Sequence, residues 1–228
     1  MTIRRHNMEL SDVAAFFPIL LKGAIVTVQI TLGALILSTA LGLLLALMKL
    51  SPIRVFSMTA STVINVIRGL PIIVQLFYIY FVIPELGIQL SAFQASIIGL
   101  GIAYSAYQAE NFRAGIEAID AGQIEAAKSI GMKSRLIMRR VILPQAIRIT
   151  LPPYGNTSVM ILKDSSLAST ITVAEMTRAG QLIAASTFQN TTVYTMLALM
   201  YLALSLPLIF GVNRLERYFG KSAKGSNK

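Results

Sequence analysis

The residues that could do chemistry in this chain are few, and most are charged side chains within or beside long apolar runs. Arg68, Glu110, Lys163 and Asp164 are the clearest cases. Ionisable groups at membrane depth are costly, so each is a functional hypothesis by default. The chain has no cysteine and one histidine, His6, which excludes disulfides, thiolate chemistry and a histidine-rich metal site. Little material remains for an enzyme.

The segment Lys163-Asp164-Ser165-Ser166 is the most informative of these. Adjacent opposite charges do not share a helical face, so each needs a separate partner or water. Asp164 could accept a substrate ammonium group while Ser165 and Ser166 hold its carboxylate. The alternative is a structural contact between subunits. Asn156 is a weaker candidate for the same pathway.

Three further polar residues each have a structural and a functional interpretation. Arg68 precedes the Gly69–Pro71 break, where it could satisfy freed carbonyls, pair with a carboxylate or contact a substrate. Gln75 could face the pathway or bond a neighbouring helix. Glu110 could recognise an amino group or form an i,i+3 ion pair with Arg113 at the membrane edge.

Composition places these residues in a membrane protein. Of 228 residues, 55% are hydrophobic and 13% are charged, against about 25% charged in a soluble domain. A soluble globule of this size cannot bury so much apolar surface, and disorder is excluded for the same reason. The net charge of +10 could suggest nucleic acid, but Trp is absent and no aromatics interleave with the basic clusters. We therefore expect no nucleic-acid partner, and we attribute the charge to the positive-inside bias.

Five apolar runs predict an all-α, polytopic protein with about five transmembrane helices in one domain, 1–228. The approximate spans are 19–47, 55–84, 86–109, 149–170 and 191–213. The second is bent at Pro71. The fourth is weakest, because Pro152, Pro153 and Gly155 should make its start irregular.

The basic residues predict the orientation. An odd number of spans puts the termini on opposite sides, and one set of segments is far richer in Lys and Arg. That set is expected to face the cytoplasm, with the N-terminus periplasmic and the C-terminus cytoplasmic. Its members are Lys49, Arg54, Arg113, Lys128, Lys133, Arg135, Arg139, Arg140, Arg148, Arg214, Arg217, Lys221, Lys224 and Lys228. The opposite set holds Arg4, Arg5, Lys22 and Arg178.

The loop 111–148, between the third and fourth spans, should contain helices of its own. Asp120 can cap a helix, with Gln123 completing a capping box, and Gly131 supplies a left-handed stop. Ser134 should cap a second short helix that Pro144 limits. The first helix is too short to be stable alone, so it should dock on something. The alternative is a surface helix that merely connects two spans.

Here the sequence resembles a known family. Glu125-Ala126-Ala127, then Gly131, then Val141-Ile142-Leu143-Pro144 is similar to the EAA loop of ABC-transporter permeases, with Val141 replacing Ile. The segments 68–77, 109–116 and 163–167 resemble the polar amino acid uptake subfamily, the histidine, glutamine and arginine type. The likeness runs from about 22 to 219.

The resemblance implies a type I ABC importer permease fold with a cytoplasmic coupling helix. It implies a second permease subunit, identical or paralogous, two ATPase subunits that bind ATP and Mg, and a periplasmic solute-binding protein. This chain would hold no cofactor, would sit in the bacterial inner membrane in contact with lipid, and would translocate a polar, and in one reading basic, amino acid. The implied ATPase-docking residues are Gln123, Glu125, Ala126, Ala127 and Gly131. The candidate pathway residues remain Asp164, Ser165, Ser166, Lys163, Glu110, Arg68, Gln75 and Asn156.

Two other functions stay open at this point. An ion-coupled secondary transporter or channel subunit would use broken helices at Pro71 and Pro152–Pro153, but it gives the 111–148 loop no role. An intramembrane enzyme would need a serine with a base, a carboxylate pair or a metal cluster.

Overall fold

The structure is a computed structural model that describes the backbone of residues 10–224 and the side chains of residues 11–218. His6, Arg4, Arg5 and Lys228, which entered the predictions above, lie outside the described residues. Within 10–224 every regular element is a helix, which confirms the all-α prediction. The α-helices are α1 (Leu10–Lys49), α2 (Arg54–Gly69), α3 (Ile72–Phe77), α4 (Ala92–Glu117), α5 (Ala121–Ser129), α6 (Ser134–Ile137), α7 (Leu143–Asp164), α8 (Met176–Thr187) and α9 (Asn190–Lys224).

The pair α1 and α4 forms the centre of the molecule. The two helices pack over a longer stretch than any other pair, because small residues let their backbones approach. A Cβ added at Gly42 would lie 2.6 Å from the Cβ of Gln108, and one added at Gly101 would lie 2.6 Å from Leu37 Cδ2. The main core, which includes Ile30 and Leu100, is built along this contact.

The second predicted span, 55–84, is strongly bent. Helix α2 ends at Gly69, and α3 begins at Ile72 after Leu70 and Pro71 adopt extended conformations. The direction of the chain changes by 101° between the two arms. The second arm continues from α3 through a π-helical turn (Tyr78–Val82) and a 3₁₀ turn (Ile83–Leu86). Proline at 71 lacks the amide that a continuous helix would need, so the break falls there.

Three predictions about the segment 134–153 are wrong. Pro144 does not end the helix that begins at Ser134, because a π-helical turn (Met138–Ile142) carries α6 into α7, with Pro144 in its first turn. Nor does Ser134 cap that helix, since Lys133 holds the cap position without a side-chain bond. Pro152 and Pro153 lie inside a continuous α7, which neighbouring helices make tolerable in a membrane protein.

The remaining elements close the bundle. A 3₁₀ segment (Ser165–Ile171) follows α7, and α8 then packs between α1 and α9 around Leu20 and Met176. By length and hydropathy within the described residues, α1 and α9 could each cross a membrane, and the bent pair could form a third span. Helices α4 and α7 do not reach that hydropathy, so the count of five spans and the 1–228 boundary stay predictions.

Candidate functional site: a docking helix and a polar path

Helix α5 is capped at both ends, as the sequence predicts. The Asp120 carboxylate accepts the amide of Gly122 at 2.8 Å. At the other end Gly131 has φ +81°, and the amides of Gly131 and Met132 bond back to the carbonyls of Lys128 and Ala127 at 2.9 and 3.1 Å. This pair of backbone hydrogen bonds is the usual way in which a glycine ends a helix. Nine residues therefore form a defined helix despite their short length.

The capping box predicted for Gln123 does not form. Its side-chain oxygen instead accepts a hydrogen bond from Gln145 Nε2 at 2.7 Å, and that nitrogen also donates to the carbonyl of Val141 at 2.8 Å. Gln123 thus ties α5 to the start of α7. The prediction treated a contact across 22 residues as a local one.

The outer face of α5 is not covered by the rest of the described chain. Ala127 is buried against the protein, whereas Glu125, Ala126 and Gln123 are exposed. Ile130, at the end of the helix, is 78% exposed. A partner could therefore approach the helix backbone closely and cover one large apolar side chain.

At the break between α2 and α3, Gln75 takes the role that the sequence offered to Arg68. The Gln75 amide nitrogen donates to the carbonyls of Ile67 and Leu70 at 2.9 and 3.0 Å. These carbonyls lose their helical partners at the break, so Gln75, which is buried, stabilises the bend. The prediction that Arg68 satisfies freed carbonyls is wrong.

Arg68 and Asp164 are instead joined by two tyrosines that the sequence analysis missed. The Arg68 guanidinium lies 5.5 Å from the centre of the Tyr107 ring, in a cation–π contact. The Tyr107 and Tyr104 rings are 5.8 Å apart, and the buried Tyr104 hydroxyl donates to Asp164 Oδ2 at 2.5 Å. The i,i+3 spacing of two tyrosines in an apolar run was the available signal.

The structure does not gather every predicted pathway residue around Asp164. Lys163 and Asn156 are exposed, and Ser166 is half-buried with its hydroxyl donated to the Lys163 carbonyl at 2.7 Å. Ser165 is fully buried and donates to the Leu162 carbonyl. Exposed groups can meet a solute, whereas Ser165 faces the protein interior.

Glu110 already has two cationic partners. Lys49 Nζ lies 2.5 Å from one carboxylate oxygen, and Arg113 lies 2.8 Å from the other. Arg113 also pairs with Glu117. The hydrogen bond to Glu110 raises the pKa of Arg113, against an opposing effect of burial. These contacts favour the ion-pair interpretation of Glu110 over recognition of an amino group.

Glu175 is a buried carboxylate that the sequence analysis did not single out. It caps α8 by accepting the amides of Thr177 and Arg178 at 2.9 and 2.7 Å. The Tyr201 hydroxyl of α9 donates to it at 3.1 Å, and Thr27 of α1 lies 3.4 Å away. One side chain therefore joins three helices. A Glu followed by a helical run was the only local signal.

Asn111 adds a link between α4 and α7. Its amide nitrogen donates to Thr157 at 3.1 Å and to Gln108 at 3.3 Å.

Within the part of the chain that the structure describes, no group of three His, Asp or Glu side chains could hold a metal ion.

Residues 38–221 match the family described as binding-protein-dependent transport system inner membrane component. The chain belongs to this family. It is the membrane subunit of an ATP-driven ABC importer, a transporter subunit rather than an enzyme, which decides against an ion-coupled transporter and an intramembrane enzyme. ATPase partners and a second permease follow from the family.

Individual relatives agree with this assignment. The permease is 38% identical to a probable amino-acid ABC transporter permease of Sinorhizobium fredii over 88% of this chain and 87% of the relative. It is 37% identical to an L-cystine transport system permease of Bacillus subtilis over 91% of each chain.

Solved structures confirm the type I importer fold. A crystal structure of an amino acid ABC transporter with histidines matches with a TM-score of 0.87 and 38% identity, covering 96% of this chain and 100% of that one. An inward-facing methionine ABC transporter matches with a TM-score of 0.75 at 20% identity over 88% of this chain and 96% of that one, which shows the fold alone.

Proposed function

We propose that this permease is one half of a pair, identical or paralogous, that imports a polar amino acid across the bacterial inner membrane. A periplasmic binding protein would deliver the substrate, and ATP and Mg would bind to two partner ATPase subunits. The names of relatives support the substrate class, since they include permeases for amino acids, L-cystine and arginine. The exposed, doubly capped α5 is the observation that carries the proposal.

Helix α5 would dock in a groove of the ATPase. Its exposed residues are Glu125, Ala126 and Ile130, of which Ile130 is the large apolar one. The caps at both ends hold these side chains on a defined helix. Because Gln123 bonds Gln145, a displacement of α5 is transmitted to the start of α7. ATP-driven closure of the ATPase pair would then bias the spans between two arrangements.

Single cysteines test this docking cleanly, because the chain has none of its own. Ala126→Cys, labelled with a photoreactive maleimide in the assembled transporter, should capture the ATPase. Val55→Cys is the control, since Val55 is 69% exposed and lies in the first turn of α2, away from α5. Absence of ATPase capture from position 126, or equal capture from both positions, would contradict the proposal.

The Asp164 region would contact the substrate. Asp164 is half-buried and suits an ammonium group, and a basic amino acid carries two cationic groups. Exposed Lys163 and Asn156 lie on the same helix. Asp164→Asn should lower the uptake rate or change substrate preference in proteoliposomes, whereas the exposed control Glu216→Gln should do neither. Unchanged uptake and preference in Asp164→Asn would show that Asp164 is not a pathway residue.

The orientation places the N-terminus in the periplasm and the C-terminus in the cytoplasm. The support is the concentration of basic residues in the α5–α7 segment and after Arg214. A reporter fused after Lys228 should be active in the cytoplasm. Activity restricted to the periplasm would reverse the assignment.

A further inference from the structure

A groove at the foot of α7 combines positive charge with exposed apolar surface. Its volume is about 430 Å³. It is formed where α6, the π-helical turn and the start of α7 follow one another, and its lining residues are Lys133, Arg135, Leu136, Met138, Arg139 and Leu143. No contact described above uses these side chains.

Within the described residues, the cations of this groove have no counter-charge. Among the described residues, ion pairs within 4.0 Å join Glu110 or Glu117 to Lys49 or Arg113, and none reaches Lys133, Arg135 or Arg139. All three groove cations are exposed. Three unbalanced cations in one concave surface attract an anion.

The apolar side chains that line the groove are exposed, and a buried neighbour holds their segment in place. Ile137 is 2% exposed and anchors the segment, while its neighbours Leu136 and Met138 are 36% and 41% exposed. Leu143 is 45% exposed. The helix therefore presents these three apolar side chains outward beside the charges.

The exposed apolar surface continues along α7. Ile147 and Ile149 are 49% and 44% exposed and flank the exposed Arg148, so the outward surface changes from mainly basic at residues 133–140 to mainly apolar, with one remaining cation, beyond Leu143. A helix that enters a bilayer shows this change at the level of the lipid headgroups. The groove lies at that change.

We infer that the groove binds an anionic phospholipid, with its phosphate between Arg135 and Arg139 and an acyl chain along Leu136, Met138 and Leu143. Guanidinium groups suit phosphate because their planar donors can bond two oxygens. Basic pockets on the cytoplasmic side of membrane proteins bind anionic headgroups in this way. Placement in the inner leaflet rests on the proposed orientation, whereas the binding itself does not.

An acidic surface of a protein partner would match the cations but not the apolar side chains. Leu136, Met138 and Leu143 continue into the exposed apolar face of α7, which a water-soluble partner cannot follow into the membrane. The apolar continuity therefore favours a lipid over a protein.

The test measures lipid retained by the complete transporter, permease with ATPase, in nanodiscs of phosphatidylglycerol and phosphatidylcholine. Each Lys or Arg near an anionic surface strengthens binding about fivefold, so Arg135→Gln with Arg139→Gln should weaken the preference for phosphatidylglycerol about thirtyfold. The control, Arg54→Gln with Arg214→Gln, removes the same charge from exposed positions on α2 and α9, outside the groove and away from α7. Native mass spectrometry reads the bound lipid directly.

Two results obtained with the variants would overturn the inference. One is an equal loss of phosphatidylglycerol in the groove variant and the control, which would indicate a response to net charge. The other is capture of the ATPase, rather than lipid, by a photoreactive label on Met138→Cys. A salt titration of the unmodified complex keeps the test independent of variant folding, because retention of phosphatidylglycerol must fall as salt rises. Retention that does not change with salt would contradict the site as well.

Neither the amount of bound phosphatidylglycerol nor its salt dependence depends on whether α5 is the helix that docks the ATPase or on which side the termini occupy. Failure of the lipid site and failure of the proposed function would therefore be distinguishable.

Discussion

Removing the Glu175 carboxylate should destabilise the junction of α1, α8 and α9. In Glu175→Ala the amides of Thr177 and Arg178 lose a buried acceptor at 2.9 and 2.7 Å. The Tyr201 hydroxyl loses its bond to Glu175 but keeps Thr177 Oγ1 at 2.8 Å. Both amides are only partly buried, so each costs about 1 kcal/mol when left unpaired, the lower end of the range for a buried donor, and the two together cost about 2 kcal/mol.

Thermal unfolding of the purified permease measures this cost. A loss of 1 kcal/mol lowers Tm by about 2–4 °C in a chain of this size, so Glu175→Ala should unfold about 4–8 °C below the unmodified protein. Glu216→Ala removes an exposed carboxylate from α9 and should leave Tm unchanged. If both variants unfold together with the unmodified protein, Glu175 does not hold the three helices, and the reasoning from its buried bonds fails.

Three further changes have defined outcomes. Gly42→Val places atoms within 2.6 Å of Gln108 and should lower Tm by several degrees, whereas Gly211→Val, with open space around it, should not. Phe188 has φ +57° and is 85% exposed, so Phe188→Gly should raise Tm by about 2–4 °C; an unchanged Tm would mean that this backbone stores no strain. Tyr104→Phe removes the hydroxyl bonded to Asp164 and should reduce uptake in proteoliposomes while the transporter still assembles.

Sequence reasoning succeeded where the determinants are local. Asp120 and Gly131 act on backbone groups within a few residues, so the ends of α5 followed from residue types alone. The apolar runs likewise placed the long helices α1 and α9, because burial in lipid depends on composition.

The errors concern partners that are distant in sequence. Gln123 bonds Gln145 rather than its own helix, and Tyr104 reaches Asp164 across 60 residues. Glu175 meets Thr27 across 148 residues. Nothing in one sequence states such pairings, because each depends on how whole helices pack.

Proline was misjudged for a related reason. A proline inside a helix removes one backbone bond and is costly in water. Pro152 and Pro153 sit in α7, where other helices pack against the same stretch, as the contact of Gly155 with Val212 shows. That compensation is invisible in the local sequence.

Helix α7 is continuous, and its two ends have different surroundings. Its first turn is tied to α5 through Gln145, and its last residue is Asp164. Twenty-two residues at about 1.5 Å each give a length of roughly 33 Å. Tilting that helix by roughly 10° about its base would carry the far end sideways by roughly 6 Å, about the width of a small solute. A modest rocking of the Gln145 end could thus open or shut the neighbourhood of Asp164 without any helix unwinding.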